Sequence, residues 1–206
     1  LGLNFGNLLK LIPIKNNLID EIYKDKTPKR KLFYSLTNKS VGESHKSKIN
    51  KICNILKLKK ADYLFISSPE NVAWLMNIRG YDSPTSPLPN CRLIIDKNKK
   101  IFLFANKKTV QKIIKEKKLK FNQIINPKNF ENFIKKLVGN KFAIDPLTCS
   151  IFNENIIKSN FKITKMEDPC YMLKSIKNKT EINHTINAHI EDGLALTKFI
   201  YWIKKV

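Results

Sequence analysis

"ADYLFISSPENVAWLMNIRGYDSPTSPLPNCRLIID", residues 61–96, is the stretch whose reading decides the fold. Residues 62–67 form a continuous apolar run with aromatics, the pattern of a strand covered on both faces. Ser68 then supplies an N-cap, and Pro69 takes the first helical position, where its missing N–H costs nothing. Val72, Leu75 and Met76 make the inner face of this helix, with Trp74 beside it. Gly80 is placed to end the helix with a positive φ. Pro84, Pro87 and Pro89 stiffen the loop that follows, because proline fixes φ and removes a donor. "CRLIID" (91–96) is a second strand, paired through "KNKK" with "IFLF" (101–104) as a hairpin.

Outward from this block, strands and helices alternate. "LFYSL" (32–36) reads as a strand. Ser44 caps a helix whose Ile49, Ile52, Cys53 and Leu56 fall on one face. Asn106 caps a helix carrying Val110, Ile113 and Ile114. "FNQII" (121–125) is a strand, and a helix with Phe130, Phe133, Ile134, Leu137 and Val138 follows, closed by Gly139 and Asn140. "KFAID" (141–145) is a strand, Pro146 opens a helix through Ile157, and "FKITKM" (161–166) is the last strand. This order predicts an α/β fold with a mixed, mostly parallel sheet flanked by helices.

The two ends read differently. Asn17 caps a short helix with Leu18, Ile19 and Ile22, and "KDKTPKRK" (24–31) is a solvated linker in which Pro28 forbids a helix. Residues from 178 onward form one long amphipathic helix, capped by Asn178 or Thr180, with Ile182, Ile186, Ile190 and Leu194 on one stripe. Gly193 inside it predicts close packing against a neighbour. A long apolar stripe needs a surface to cover, and no remaining sequence supplies one. The first residue is Leu1, not methionine, and the last helix carries no cap. These features predict a piece of a longer protein.

The 206 residues carry a net charge of +22. Among their 39 basic residues 36 are Lys and 3 are Arg. Nucleic-acid surfaces favour Arg for its bidentate fork. The lysines are also spread along the whole chain, alongside abundant Ile and Asn, as A/T-rich codons would produce. A basic nucleic-acid-binding module stays an alternative, and no specific nucleic-acid partner is expected. No 18-residue uncharged apolar window predicts a membrane span, and residues 1–17 lack the layout of a signal peptide. Cys53, Cys91, Cys149 and Cys170 form no C-x-x-C pair and read as free thiols of a reducing compartment.

Chemistry-bearing motifs are sparse. No H-E-x-x-H, G-x-S-x-G, phosphate loop or G-x-G-x-x-G is present. Glu181 and His184 have the spacing used in carboxylate-bridged metal bundles, but their nearest companions, His189 and Asp192, lie on the same helix; a solvated or interdomain face explains them better. Asp145 can stand at the C-terminal edge of a strand or cap the helix after it.

Three separated segments carry a resemblance. In residues 61–96 the positions are Asn71, Ala73, Trp74, Leu75, Asn77, Arg79, Gly80 and Asp82. "NLIDEIYKDKTP" (17–28) is the second. The third is "DPCYMLKSIKNKTEINHTINAHIEDGLALTKFIYWIKK" (168–205), through Lys174, Lys177, Asn178, Glu181, Ala188, His189, Asp192, Gly193, Ala195, Leu196, Phe199 and Trp202. Together they resemble the cytoplasmic three-domain aminopeptidase P (Xaa-Pro aminopeptidase) family, and they span nearly the whole chain. Tyr23 departs from that pattern, standing where the family has Trp.

The resemblance implies the end of a first domain and linker in residues 1–30, a middle creatinase N-terminal-like α/β domain in 31–168, and the truncated opening of a pita-bread catalytic domain in 169–206. It implies a parent hydrolase that removes the N-terminal residue from peptides with proline in second position. Two divalent ions, usually manganese, would be held by two Asp, one His and two Glu beyond Val206. No catalytic residue or metal ligand then lies within this chain, which is expected to be inert alone. The middle domain would wall the cleft, exclude long substrates and support a homodimer; a non-catalytic interaction domain on the same fold is the alternative. Arg79, Asp82, Pro84 and Pro87 are the candidates to face the cleft, with an Arg79–Asp82 pair expected to brace the turn. His189 and Asp192 are the candidates for the domain junction, and a cytoplasmic location is expected.

Overall fold

The computed structural model describes residues 18–22, 31–116 and 118–205. Residues 1–30 and 31–206 are two compact units. In the first, helix α1 spans Leu18–Ile22, with Leu18, Ile19 and Ile22 exposed. The linker expected at 24–31 lies almost wholly outside the described residues.

The second unit is built on a six-stranded sheet. Its strands are β2 (Tyr63–Ile66), β4 (Arg92–Asp96), β5 (Ile101–Phe104), β6 (Ile124–Ile125), β7 (Lys141–Ile144) and β8 (Lys162–Lys165), in the order β6-β5-β4-β2-β7-β8. β2–β7, β7–β8 and β5–β6 are parallel, while β2–β4 and β4–β5 are antiparallel. The mixed, mostly parallel sheet is therefore present, with the antiparallel β4–β2 pair at its centre. β2 is buried at all four positions, as its continuous apolar run requires.

Side chains alternate across the sheet with the two-residue period of strands. Leu64, Ile66, Leu93, Ile95, Leu103 and Ala143 face one core, completed by Ile52 and Leu56 of α3 (His45–Leu58), Leu75 and Met76 of α4 (Pro69–Met76), and Ile113 of α5 (Gln111–Lys115). Tyr63, Phe65, Ile94, Phe104, Phe142 and Ile144 face the other, against Phe130 and Ile134 of α6 (Phe130–Ile134) and Ile157 of α7 (Ile151–Lys158). The second core is aromatic: Tyr63 stacks on Phe142 at 5.2 Å, and Phe161 meets both rings edge-on. A sheet with helices on both faces buries both sets of side chains.

Several boundaries differ from the sequence reading. The strand expected at 32–36 shrinks to β1 (Tyr34–Ser35). It stands outside the main sheet and pairs with β3 (Ile78–Arg79) in a ribbon of its own. Residues 121–123 coil into a 3-10 turn before the short β6. Asn106 closes a turn onto Lys108 N rather than capping α5. Likewise Asp145 closes the turn after β7 by accepting from Leu147 N, and Ser150, not Pro146, heads α7 by accepting from Asn153 N. In each case a short polar side chain offers the backbone a local alternative to an earlier helix start.

Helix α4 does not end at Gly80. Asn77 takes the left-handed cap, with φ 51° and ψ 45°, a conformation asparagine tolerates better than most residues. Gly80 is required for space instead: a Cβ there would lie 2.7 Å from Pro89 Cα.

At the far end, α8 (Cys170–Ser175) leads into α9 (Lys179–Lys205). Asn178 is its cap, accepting from Glu181 N at 3.0 Å, while Glu181 accepts from Asn178 N at 2.9 Å. This is a reciprocal capping box. Asn178 also donates to Val41 O at 2.8 Å, tying α9 to the end of α2 (Asn38–Val41). No described residue of α9 is buried. Gly193 has open space where a Cβ would stand, so the close neighbour expected there is not among the described residues.

Candidate functional site

Side chains from three parts of the chain converge on the C-terminal end of α4, where the last carbonyls of a helix lack intrahelical partners. Three cations serve them. Lys48, buried on α3, donates to Trp74 O at 3.0 Å and to Asn77 Oδ1 at 2.8 Å, with its ammonium 4.2 Å from the centre of the Trp74 ring. Arg79 donates through Nη1 to Ala73 O at 3.2 Å and Ile78 O at 2.9 Å. Lys118 donates to Asn77 O at 2.8 Å. Positive charge at a helix C-terminus is stabilising.

Asn77 is the hub. Its Nδ2 donates to Glu43 O at 2.8 Å, its Oδ1 receives Lys48, and its carbonyl also accepts from Leu36 N at 2.9 Å. One residue thus joins α3, α4, the β1–β3 ribbon and Lys118. Burial pulls Lys48 down to about 8, and does the same to Lys118. Burial also lowers Arg79 from its ordinary value.

A second buried network starts at the other end of α4. Asn71 Nδ2 donates to Asp168 Oδ2 at 2.7 Å, and Lys174 donates to Asn71 Oδ1 at 2.6 Å. Asp168 Oδ1 accepts from Cys170 N at 2.9 Å, while Asp168 N donates to Asp145 Oδ2 at 3.0 Å. Burial raises the Asp168 carboxyl, against the pull of these hydrogen bonds. The network pins the turn before α8 to the body of the sheet. Burial also raises all four thiols, Cys53, Cys91, Cys149 and Cys170, and each is free. None has the lowered pKa of a reactive cysteine.

The proline loop braces itself. Gly80 N donates to Pro87 O at 3.1 Å, Asp82 N to Leu88 O at 3.2 Å, and Asn90 N to Asp82 Oδ2 at 2.7 Å. Arg79 and Asp82 are not an ion pair; each is committed to backbone groups, and the aspartate closes the loop without the arginine. Pro84 and Pro87 are exposed, while Pro89 is buried under Gly80. The Tyr81 ring meets that of Tyr34 at 5.4 Å, tilted by 32°, so the loop leans on the β1–β3 ribbon. His189 and Asp192 are exposed on α9 and, among the described residues, make no side-chain hydrogen bond.

Sequence reasoning found Arg79 and Asp82 but missed Lys48, Lys118 and the bridging role of Asn71 and Asn77. A signal for Lys48 existed: it precedes Ile52 by four residues, on the apolar stripe of α3. For Lys118 there was none, because its partner is a carbonyl 41 positions away.

Among the described residues no group of three or more His, Cys, Asp or Glu side chains is placed to hold a metal ion. Glu181 is spent on the capping box. The resemblance assigns the ligands of its two-metal centre to positions beyond Val206, and none of those positions is among the residues described.

Comparison with known proteins agrees with this architecture. The chain is 31% identical over 202 residues to Xaa-Pro aminopeptidase 1 of Dictyostelium discoideum, covering 92% of this chain and 31% of the relative. It is 30% identical over 203 residues to Xaa-Pro aminopeptidase ApepP of Drosophila melanogaster, covering 95% and 33%. The chain thus spans about a third of the length of these relatives. A solved X-prolyl aminopeptidase from Caenorhabditis elegans, described as a cytosolic enzyme with a di-nuclear active site, superposes with a TM-score of 0.80 at 23% identity, covering 94% of this chain and 33% of that one. At that identity the likeness shows the fold. The family described as Creatinase/Prolidase N-terminal domain matches residues 24–181. With the match covering well over half its length, the chain belongs to the creatinase/prolidase N-terminal domain family.

Proposed function

We propose that this chain is a non-catalytic part of an Xaa-Pro aminopeptidase, and that the hydrolytic centre it serves is formed by residues outside this sequence. One observation carries the reading: the chain aligns along nearly its whole length with Xaa-Pro aminopeptidases while covering about a third of each.

In this reading residues 31–168 are a middle domain and 169–206 open the catalytic domain. The loop bearing Arg79, Asp82, Pro84 and Pro87 faces the substrate cleft as a fixed wall. A self-braced loop with three prolines has little conformational entropy left to lose, which suits a wall better than a lid. His189 and Asp192 lie at the junction between domains. The substrate is a peptide with proline in second position. Two divalent ions, manganese by the family's habit, belong to the complete enzyme, which works as a cytoplasmic homodimer.

Hydrolysis is the test. The full-length protein with added divalent metal should release the first residue of Xaa-Pro peptides, and the 206-residue chain alone should release none. A chain that hydrolyses by itself, or a full-length protein that leaves the Xaa-Pro bond intact, sinks the proposal.

A further inference from the structure

Helix α2 ends at Val41 and helix α3 starts at His45, so Gly42, Glu43 and Ser44 form the link between them. On one side this link carries the head of α9. Asn178 donates to Val41 O at 2.8 Å, and a Cβ on Gly42 would lie 2.8 Å from Thr180 Cβ. On the other side it carries the hub, because Glu43 O accepts from Asn77 Nδ2 at 2.8 Å. Asn77 and Asn178 make no hydrogen bond to one another; they hold carbonyls two residues apart on the same turn.

The link is stiff. Gly42, at φ 73°, donates to Asn38 O and closes α2. The Glu43 carboxylate accepts from Ser47 Oγ at 2.6 Å and Lys51 Nζ at 3.0 Å, and Ser44 Oγ accepts from Ser47 N at 3.2 Å. A short turn fastened to the helix on each side passes a displacement on instead of absorbing it. At the receiving end, Asn77 has already left α4, and its two side-chain bonds, to Glu43 O and from Lys48, fix the direction in which the loop departs. Its carbonyl accepts from Leu36 N, Arg79 pairs with Tyr34, and Gly80 N opens the loop by donating to Pro87 O. At the sending end, no described residue of α9 is buried. Among the described residues its hydrogen bonding to the α/β body runs through Asn178, so movement of the helix reaches the body at its head.

We propose that the turn at 41–44 couples α9 to the proline loop, with Asn77 as the positioning residue that receives the movement. A shift of α9 carries Val41 O and Gly42 with it, Glu43 O moves against Asn77 Nδ2, and the loop leaves α4 at a new angle. The coupling is a property of this chain; that it sets a substrate wall against the catalytic domain rests on the function proposed above.

The experiment is amide hydrogen exchange of the 206-residue chain and of Asn178→Ala, Asn77→Gly and the double variant. Asn178→Ala should quicken exchange about fivefold at Glu181 and Ile182, which lose their cap. It should also quicken exchange about threefold at Gly80 and Asp82, although Asn178 makes no hydrogen bond to the loop. Asn77→Gly keeps the left-handed backbone and deletes both side-chain bonds. In that background Asn178→Ala should still free Glu181 and Ile182 but add nothing at Gly80 and Asp82, whereas two independent structural roles give additive effects. Ser150→Ala removes the cap of α7, on the opposite face of the sheet, and should leave the loop amides as in the parent. If Asn77→Gly does not fold, Asn77→Asp keeps an acceptor for Lys48 and removes the donor to Glu43 O, with the same loss of coupling expected. Three results overturn the coupling, whether or not the full-length protein hydrolyses Xaa-Pro peptides: loop amides unmoved by Asn178→Ala, loop amides moved equally by Ser150→Ala, or an undiminished effect of Asn178→Ala once Asn77 is replaced.

Discussion

Lys48 Nζ stands 2.8 Å from Asn77 Oδ1, joining residues 29 positions apart. The lysine comes from the first long helix of the fold, and the asparagine is the left-handed residue that ends α4. Helix end, ribbon and loop are therefore positioned by one buried cation. Lys48→Met keeps the aliphatic stem but leaves Asn77 Oδ1 and Trp74 O without their donor. It should destabilise the chain by about 1–3 kcal/mol, read as a lower midpoint in urea. An unchanged midpoint would show that the hub does not hold α4 in place.

The same lysine gives a pH signature. Its folded pKa is about 8, below the unfolded value of about 10.4. Between those values the unfolded chain binds more protons, so the lysine's contribution to stability rises with pH. The gap in unfolding free energy between the parent chain and Lys48→Met should widen from pH 7.5 to 9.5 in the presence of reductant. A gap that narrows contradicts the buried placement.

Asp62 acts at the acid end. It accepts from Lys97 Nζ at 2.7 Å, Asn140 N at 2.8 Å and Lys141 N at 3.1 Å, and the hydrogen bond from Lys97 leads in holding it down to about 2. A lowered carboxylate stabilises above its unfolded pKa of about 3.9, and that contribution is lost as pH falls towards the folded value. Asp62→Asn should cost about 1 kcal/mol at pH 7, because the partners are part-exposed. The variant should also lose less stability than the parent between pH 4 and 2.5. Equal acid sensitivity would remove Asp62 from the account.

The two glycines that the fold needs make separate predictions. Gly80→Ala forces a Cβ against Pro89 Cα and should cost about 1–3 kcal/mol, with the loop amides of Asp82 and Asn90 losing hydrogen-exchange protection first. Gly42, at φ 73°, ends α2 where α9 docks; a Cβ there would meet Thr180 Cβ at 2.8 Å and overlap the Asn178 side chain. Gly42→Ala should loosen the start of α9 while leaving the sheet intact. Global unfolding in either variant at matched temperature contradicts these local roles.

Much of this fold was legible because local chemistry and tertiary packing agree. The apolar runs at 62–67 and 91–96 became the two central strands, Ser44 capped its helix, and Asn178 formed its capping box with Glu181. Legibility failed where the deciding partner is distant. Nothing near Gly80 in sequence says that Pro89 lies on top of it, and Asn77 was free to take the helix end once Lys48 and Glu43 held its side chain. β1 reads as a strand but its partner β3 does not, because two-residue ribbons leave too little sequence to mark. The candidate site was half visible: Arg79 and Asp82 stood out by resemblance, but their backbone partners are set by the turn rather than by one another.

The account's central claim is that this chain contributes a wall and not the chemistry. It is tested most directly by kinetics of the full-length protein carrying Pro84→Gly and Pro87→Gly together, on Xaa-Pro peptides of increasing length. A wall predicts kcat for the shortest substrate unchanged and the discrimination against long peptides reduced. Loss of kcat on every substrate, or an unaltered dependence on length, contradicts it.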